Sequence, residues 1–423
     1  MSMNVRAAVA ASVVAIFLVA CAPREDVAES DATWVGTITT EGNVTTVVNE
    51  SGSVWGGTAT LVEEASIGLA VGPEEYMLGE IAALYATDDE VYVLDQSVSK
   101  VRVYDLAGEH LRSFGRPGQG PGELGTGARW LLVGGDGRTY VGDLRNQRIN
   151  IYSREGETLG AIALPARSSS GLAPMVFADN GGIWWTVRVP SDDGSSTRRA
   201  FQVLTADGPV GDPLFVPEIE YEELLVSSQG RVVGAVPFAP SVVFTFSYDQ
   251  ALIAGATDRC TFRMIRPSGE ITLVERYWEP VPVTSEEFDY WRRFTIAGFG
   301  GRDVDWNGED IPDHKPAYMV FLPSATGEVW LMRQGEGSGD CNLAPEEAME
   351  AGFDQAVISC LYPNLFFDVF GRDGRYLGDV EGLQLNVTLP FISGDTVIAP
   401  VEDDSGTIMV KRYRLVLPQR GAQ

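Results

Sequence analysis

Histidine and lysine are almost missing from this chain, which has two of the first (His110, His314) and three of the second (Lys100, Lys315, Lys411). Two histidines so far apart do not make a His-rich zinc centre. Acids outnumber bases by 59 to 31, giving a formal charge of −28. Such a surface repels phosphate backbones, which argues against nucleic acid as a partner. Cysteine is scarce, at four residues, with no Cys-x-x-Cys pair. Also lacking are a His-Glu-x-x-His run, a Gly-x-Ser-x-Gly elbow and a Walker loop, so the common hydrolase and nucleotide signatures are absent. No apolar run approaches the roughly 20 residues that span a bilayer. What remains is an ordinary core-forming composition, 44% hydrophobic, in 423 residues.

The N-terminus is the most legible stretch. Arg6 is the only charge before an apolar run from Ala7 to Ala20, and Cys21 follows. A basic start, a short greasy middle and small residues at the cut form a secretory signal. Leu18-Val19-Ala20-Cys21 resembles the lipobox of bacterial lipoproteins at all four positions. The resemblance implies cleavage before Cys21 and diacylation of its thiol. Two or more acyl chains anchor firmly where one does not. The partition expected is a signal peptide at 1–20, a polar tether at 21–33 and one folded body at 34–423. By resemblance to enteric lipoproteins, Ala22 after the cysteine implies the outer membrane, facing the periplasm. Three cysteines then remain. An exported compartment permits disulfides. Cys341 and Cys360 flank one candidate loop and are the expected bridge. Cys260, in a strand-like run, reads as a buried free thiol.

The body repeats itself. Tyr92-Val-Leu-Asp95 recurs forty-eight residues on as Tyr140-Val-Gly-Asp143. In the same register Val101 matches Ile149, Tyr104 matches Tyr152, and Gly108-Glu109 matches Gly156-Glu157. Each unit alternates apolar and polar residues and breaks at glycine, as strands and turns do. A period of this size with several short strands per unit points to a propeller.

Asp143-Leu-Arg-Asn-Gln-Arg148-Ile-Asn-Ile-Tyr152 resembles the core of an NHL repeat, and Asp95 to Tyr104 is a weaker copy. Phe114 to Leu124, rich in glycine and proline, resembles the inter-blade loop of six-bladed NHL-type propeller lipoproteins. The close match covers roughly residues 80 to 165. Fainter blades are expected at Val176–Val216, Ser241–Arg276 and Ala317–Val380. Leu389–Leu417 supplies only three strands, so an N-terminal strand, Asn43 to Asn49, is expected to close the last blade and remove a free edge. The fold expected is an all-β, six-bladed β-propeller, with short helical insertions near Thr284–Phe294 and Ala344–Ile358. Insertions lie on propeller rims, which makes that sector the candidate functional face.

Candidate chemistry is sparse. Asp303, Asp305, Asn307 and Asp310, with Gly308 sixth, resemble the front of a calcium loop. The twelfth position is His314 rather than glutamate, which favours reading the run as a solvated acidic turn over a calcium loop. Asp95 and Asp143, at matched places, read as acceptors for their own turns. Trp184, Trp185, Trp278 and Trp291 read either as a stacking platform or as packing between sheets. Three functions follow. The first is a membrane-tethered binding propeller, held to the bilayer through Cys21 and engaging an envelope protein or glycan. The second is a metal-dependent hydrolase or lyase with its site in the central channel. The third is a carbohydrate-binding module.

Overall fold

The computed structural model describes residues 33–418, apart from 170, 172, 192, 300–303, 307–309, 338–343, 352–364, 382, 384–389 and 404. Cys21, Cys341, Cys360, Asp303 and Asn307 lie outside the described residues. Among the described residues no helix is long and apolar enough to cross a membrane.

The fold is all-β and is built from successive antiparallel meanders. Three strands precede them: β1 (Val35–Glu41), β2 (Val44–Ser51) and β3 (Ala59–Ile67). The first meander holds β4 (Ile81–Ala86), β5 (Glu90–Asp95), β6 (Lys100–Asp105) and β7 (His110–Phe114). The second holds β8 (Ala128–Val133), β9 (Thr139–Asp143), β10 (Arg148–Tyr152) and β11 (Thr158–Ala163). The third holds β12 (Val176–Phe177), β13 (Ile183–Pro190), β14 (Thr197–Thr205) and β15 (Gly208–Phe215). A small hairpin, β16 (Leu225–Ser228) and β17 (Arg231–Ala235), comes next. The fourth meander holds β18 (Val242–Phe246), β19 (Leu252–Ala256), β20 (Thr261–Ile265) and β21 (Ile271–Arg276). Helix α1 (Ser285–Gly298) and β22 (Val304–Trp306) follow, and β22 joins the small hairpin through β16. The fifth meander holds β23 (Val320–Pro323), β24 (Val329–Gln334), β25 (Leu365–Phe370) and β26 (Tyr376–Glu381), with α2 (Pro345–Ala351) inserted in it. The last holds β27 (Phe391–Ser393), β28 (Thr396–Glu402) and β29 (Ile408–Val416).

The meanders stack face to face, so their second strands are covered on both sides. Every residue of β5 is buried, and its sequence Val-Tyr-Val-Leu reads as a continuous apolar run for that reason. Outer strands alternate or lie open, as β7 and β11 do. Each neighbouring pair of sheets shares one core. Tyr92 and Val101 pack with Leu131 and Val141, and Ile149 packs with Trp185 and Ala200. Phe201 packs with Phe246 and Leu252, and Ile253 and Phe262 pack with Phe321 and Leu331. Trp330 and Phe367 pack with Ile392 and Val397. Ile398 and Val410 of the last sheet then share a core with Val91 and Val93 of the first.

An N-terminal strand does complete the last sheet, but it is not Asn43 to Asn49. β3 pairs antiparallel with β29, from Thr60 opposite Val416 to Ile67 opposite Val410. β2 instead runs parallel to β21 on the outer edge of the fourth sheet, Val44 opposite Ile271. The predicted helix over Thr284–Phe294 is α1, capped by Thr284. Its hydroxyl accepts the Glu287 N–H while the Glu287 carboxylate accepts the Thr284 N–H, a reciprocal capping box. The second predicted helix is α2, which starts at Pro345 as its missing N–H favours.

Candidate functional site

A cavity of about 220 Å³ lies where the fourth and fifth meanders meet the inserted segments. Its floor is Thr257, just past the end of β19, with Tyr318 and Met319 ahead of β23 and Gln334 at the end of β24. Pro237, Phe238 and Ala239, from the link between β17 and β18, and Trp291 of α1 supply further walls. Phe238 and Trp291 meet edge to face, with ring centres 5.6 Å apart. They belong to a separate small core with Leu224, Val226 and Ile311 that ties α1 to the β16–β17 hairpin.

Local sequence holds this shape. Gly255 in β19 has no side chain because the Tyr318 hydroxyl occupies that space; an added Cβ would lie 2.1 Å from it. That hydroxyl donates to the Ala256 carbonyl at 3.1 Å, so Tyr318 is fixed against the sheet. Burial pushes its pKa well up, which keeps it neutral. Phe238 adopts φ +60°, a left-handed conformation that bulky residues rarely take. Strain of this kind is concentrated at ligand clamps and switch regions.

Beneath α1, Lys315 and Glu287 form an ion pair at 2.6 Å with side chains 0% and 1% exposed. Lys315 also donates to the Gly335 carbonyl at 2.6 Å, and its ammonium faces the Phe238 ring. One of the chain's three lysines is thus spent inside, joining the helix start to the fifth sheet. Among the described lining residues there is no carboxylate, imidazole, thiol or amine. Its described lining is aromatic and apolar with a few neutral polar groups, the composition of cavities that hold small molecules.

The residues singled out by sequence fall elsewhere, with one exception. Trp291 lines the cavity. Trp185 meets Trp130 edge to face and Trp184 packs at a tilt on Phe246, both within sheet cores, and Trp278 packs against the core between the fourth and fifth sheets. Asp305 sits opposite Ser227 in the β16–β22 ladder. Asp310 directs both carboxylate oxygens at Arg292, at 2.7 and 2.9 Å. Among the described residues no group of three or more His, Cys, Asp or Glu could hold a metal ion. Cys260 is a buried free thiol, pushed up to about 12 by burial. His110 bonds Ser113 and packs on Tyr104.

The repeated residues of the first two sheets are structural. Asp143 accepts the N–H groups of Gly125 and Asn146, Arg148 donates to the carbonyls of Gln119, Gly120 and Glu123, and Tyr152 donates to Gly122. In the first sheet Asp95 pairs with buried Arg102, which reaches the carbonyls of Glu74 and Met77, while Tyr104 donates to Glu75. Each set anchors the loop that leads into its own sheet. Sequence missed Phe238, Thr257 and Tyr318, because they come from separate connections with no shared motif.

No protein-family model matches the chain, and no curated protein matches it in sequence. Solved structures do. A member of the DUF4221 family from Bacteroides vulgatus is 11% identical, with a TM-score of 0.52 over 85% of this chain and 99% of that one. A candidate exported protein from Bacteroides fragilis is 11% identical, with a TM-score of 0.47 over 88% of this chain and all of that one. Virginiamycin B lyase from Staphylococcus aureus is 13% identical, with a TM-score of 0.35 over 82% of each chain. The first of these likenesses places the chain in a shared fold and assigns it no activity.

Proposed function

We propose that this chain is an exported, lipid-tethered β-propeller of six blades that binds a ligand in the Phe238–Trp291 cavity. The ring reading is supported by the sequence of shared cores, which returns from the last sheet to the first. β3 then acts as the latch that leaves the last blade without a missing strand. The lipid anchor at Cys21 rests on the lipobox-like run alone. Tethering through it would hold the acidic body beside a bilayer that its charge does not attract.

The observation that carries the binding reading is the cavity wall: aromatic rings and prolines around a few neutral polar groups. That is the composition of sites that hold ligands by shape. The test is ¹⁹F NMR of the full-length protein carrying 5-fluorotryptophan, with the Trp291 signal assigned through Trp291→Phe. Envelope extract is added in fractions. The Trp291 signal is expected to move while those of Trp184 and Trp185 stay. If no fraction moves it, the cavity is not the binding site.

A further inference from the structure

We infer that the cavity selects a neutral ligand of one ring system bearing one hydrogen-bond acceptor, which the Thr257 hydroxyl meets. This rests on the reading of the cavity as the binding site. Size comes first. Ligand pockets usually measure roughly 300 to 1,000 Å³. At about 220 Å³ this one takes a single fused or substituted ring. Phe238 and Trp291, in edge-to-face contact with each other, and the prolines Pro237 and Pro316 give it a lining that suits an apolar ring.

Charge comes second. A charged group entering an apolar cavity needs a partner there. The ammonium of Lys315 is already held by Glu287 and the Gly335 carbonyl. Among the described lining residues none offers a counter-charge. The ligand is therefore neutral.

The donor comes third. Thr257 is 1% exposed and lines the cavity. Its hydroxyl oxygen accepts the Ser241 N–H at 3.0 Å. A hydroxyl also has one hydrogen to give. Among the described residues no acceptor takes it, and a buried donor left without a partner is costly. A carbonyl or ether oxygen on the ligand supplies that acceptor. The strained Phe238 backbone keeps one ring wall in place for the same occupant.

The test uses three probes of one ring size on the fluorotryptophan-labelled full-length protein: 1-indanone, indane and indane-1-carboxylate. Trp291 is read throughout. Indanone is expected to bind about fivefold or more tighter than indane, the worth of one net hydrogen bond. The carboxylate is expected to leave the signal unmoved. Thr257→Val should erase the preference for indanone, and Thr257→Ser should restore it. Equal affinity for indane and indanone, binding of the carboxylate as tight as indanone, or a preference that survives Thr257→Val each overturns the ligand class. If envelope fractions move Trp291 and none of the probes does, the class is also wrong and the site stands. If nothing moves Trp291, site and class fall together.

Discussion

Lys315 and Glu287 meet at 2.6 Å where neither side chain reaches solvent. Two charges removed from water are held there by each other, by the Gly335 carbonyl and by the Thr284 N–H. Breaking such a pair from one side leaves a buried charge alone and costs about 3–5 kcal/mol. Lys315→Met is expected to fall in that range. The double variant with Glu287→Leu should recover much of the loss. It should still trail the native chain by about 1 kcal/mol, since the Thr284 N–H loses the Glu287 carboxylate while the Thr284 hydroxyl keeps its own half of the capping box. Urea midpoints at constant slope measure this cycle. Additive single losses would mean that the two groups do not interact.

Asn49 is a second point where distant chain is joined. Its Oδ1 accepts the N–H groups of Trp34 and Tyr376, each at 2.7 Å. Its Nδ2 donates to the carbonyls of Glu275 and Gly374, each at 3.1 Å. The amide links β2 to the turn of the fifth sheet and to β21. Asn49→Asp keeps the shape but sets a carboxylate oxygen, an acceptor, against the two carbonyls that the amide donates to. A loss of about 2–4 kcal/mol is expected, because more than one buried group loses its partner. Amide exchange at Tyr376 should accelerate with it. Unchanged protection there would show that Asn49 does not fix this contact.

Much of the scaffold could be read from residue order, and the reasons are local. Tyr92-Val-Leu-Asp95 announces a strand buried on both faces, and Gly108 and Gly156 mark equivalent turns with φ near +90°. β3 was not legible because it carries no continuous apolar stripe: only its end residues Ala59 and Ile67 are buried, and its middle is acidic. Glu63 and Glu64 of β3 pair across to Lys411, Arg412 and Arg414 of β29. The more apolar run at Val44-Thr-Thr-Val-Val looked the better latch and pairs with the fourth sheet instead. The cavity was hidden for a different reason. Phe238, Thr257, Trp291 and Tyr318 are far apart in sequence, and each is an ordinary residue in its own segment. Two insertions, Thr284–Phe294 with Trp291 and Ala344–Ile358, broke the repeat and pointed to the sector.

Glu90 sets the acid limit of the first sheet. Arg112 grips both its oxygens, at 2.8 and 2.7 Å, and Tyr92 and Arg154 add bonds. The Arg112 bonds lead in pulling its pKa from 4.5 to about 2, against the opposing effect of burial. The folded chain thus holds the proton less tightly than the unfolded one. The contribution to stability is present above the unfolded pKa and is lost as pH falls from about 4.5 through about 2. Glu90→Gln should lower stability at neutral pH and flatten the decline across that window. Urea midpoints between pH 6 and 2.5 decide it; parallel curves for the two proteins would assign the acid limb to other carboxylates.

Gly255 links stability to the cavity. It sits in an ordinary strand conformation, so alanine there suffers from crowding alone. The new Cβ would lie 2.1 Å from the Tyr318 hydroxyl, 2.8 Å from the Thr261 carbonyl and 3.0 Å from the Phe262 Cβ. Overpacking of this kind typically costs about 1–3 kcal/mol. Tyr318 is the part able to yield, and it yields into the cavity whose floor it forms. Gly255→Ala should therefore lose stability and weaken ligand binding together. Tyr318→Phe alone removes the bond to Ala256 and costs about 1 kcal/mol. Added to Gly255→Ala it removes the obstructing oxygen, so the double variant should be more stable than Gly255→Ala by itself. Denaturation of the three variants separates the cases. If the second change brings no recovery, the Thr261 carbonyl is the obstacle, and Tyr318 does not couple this strand to the site.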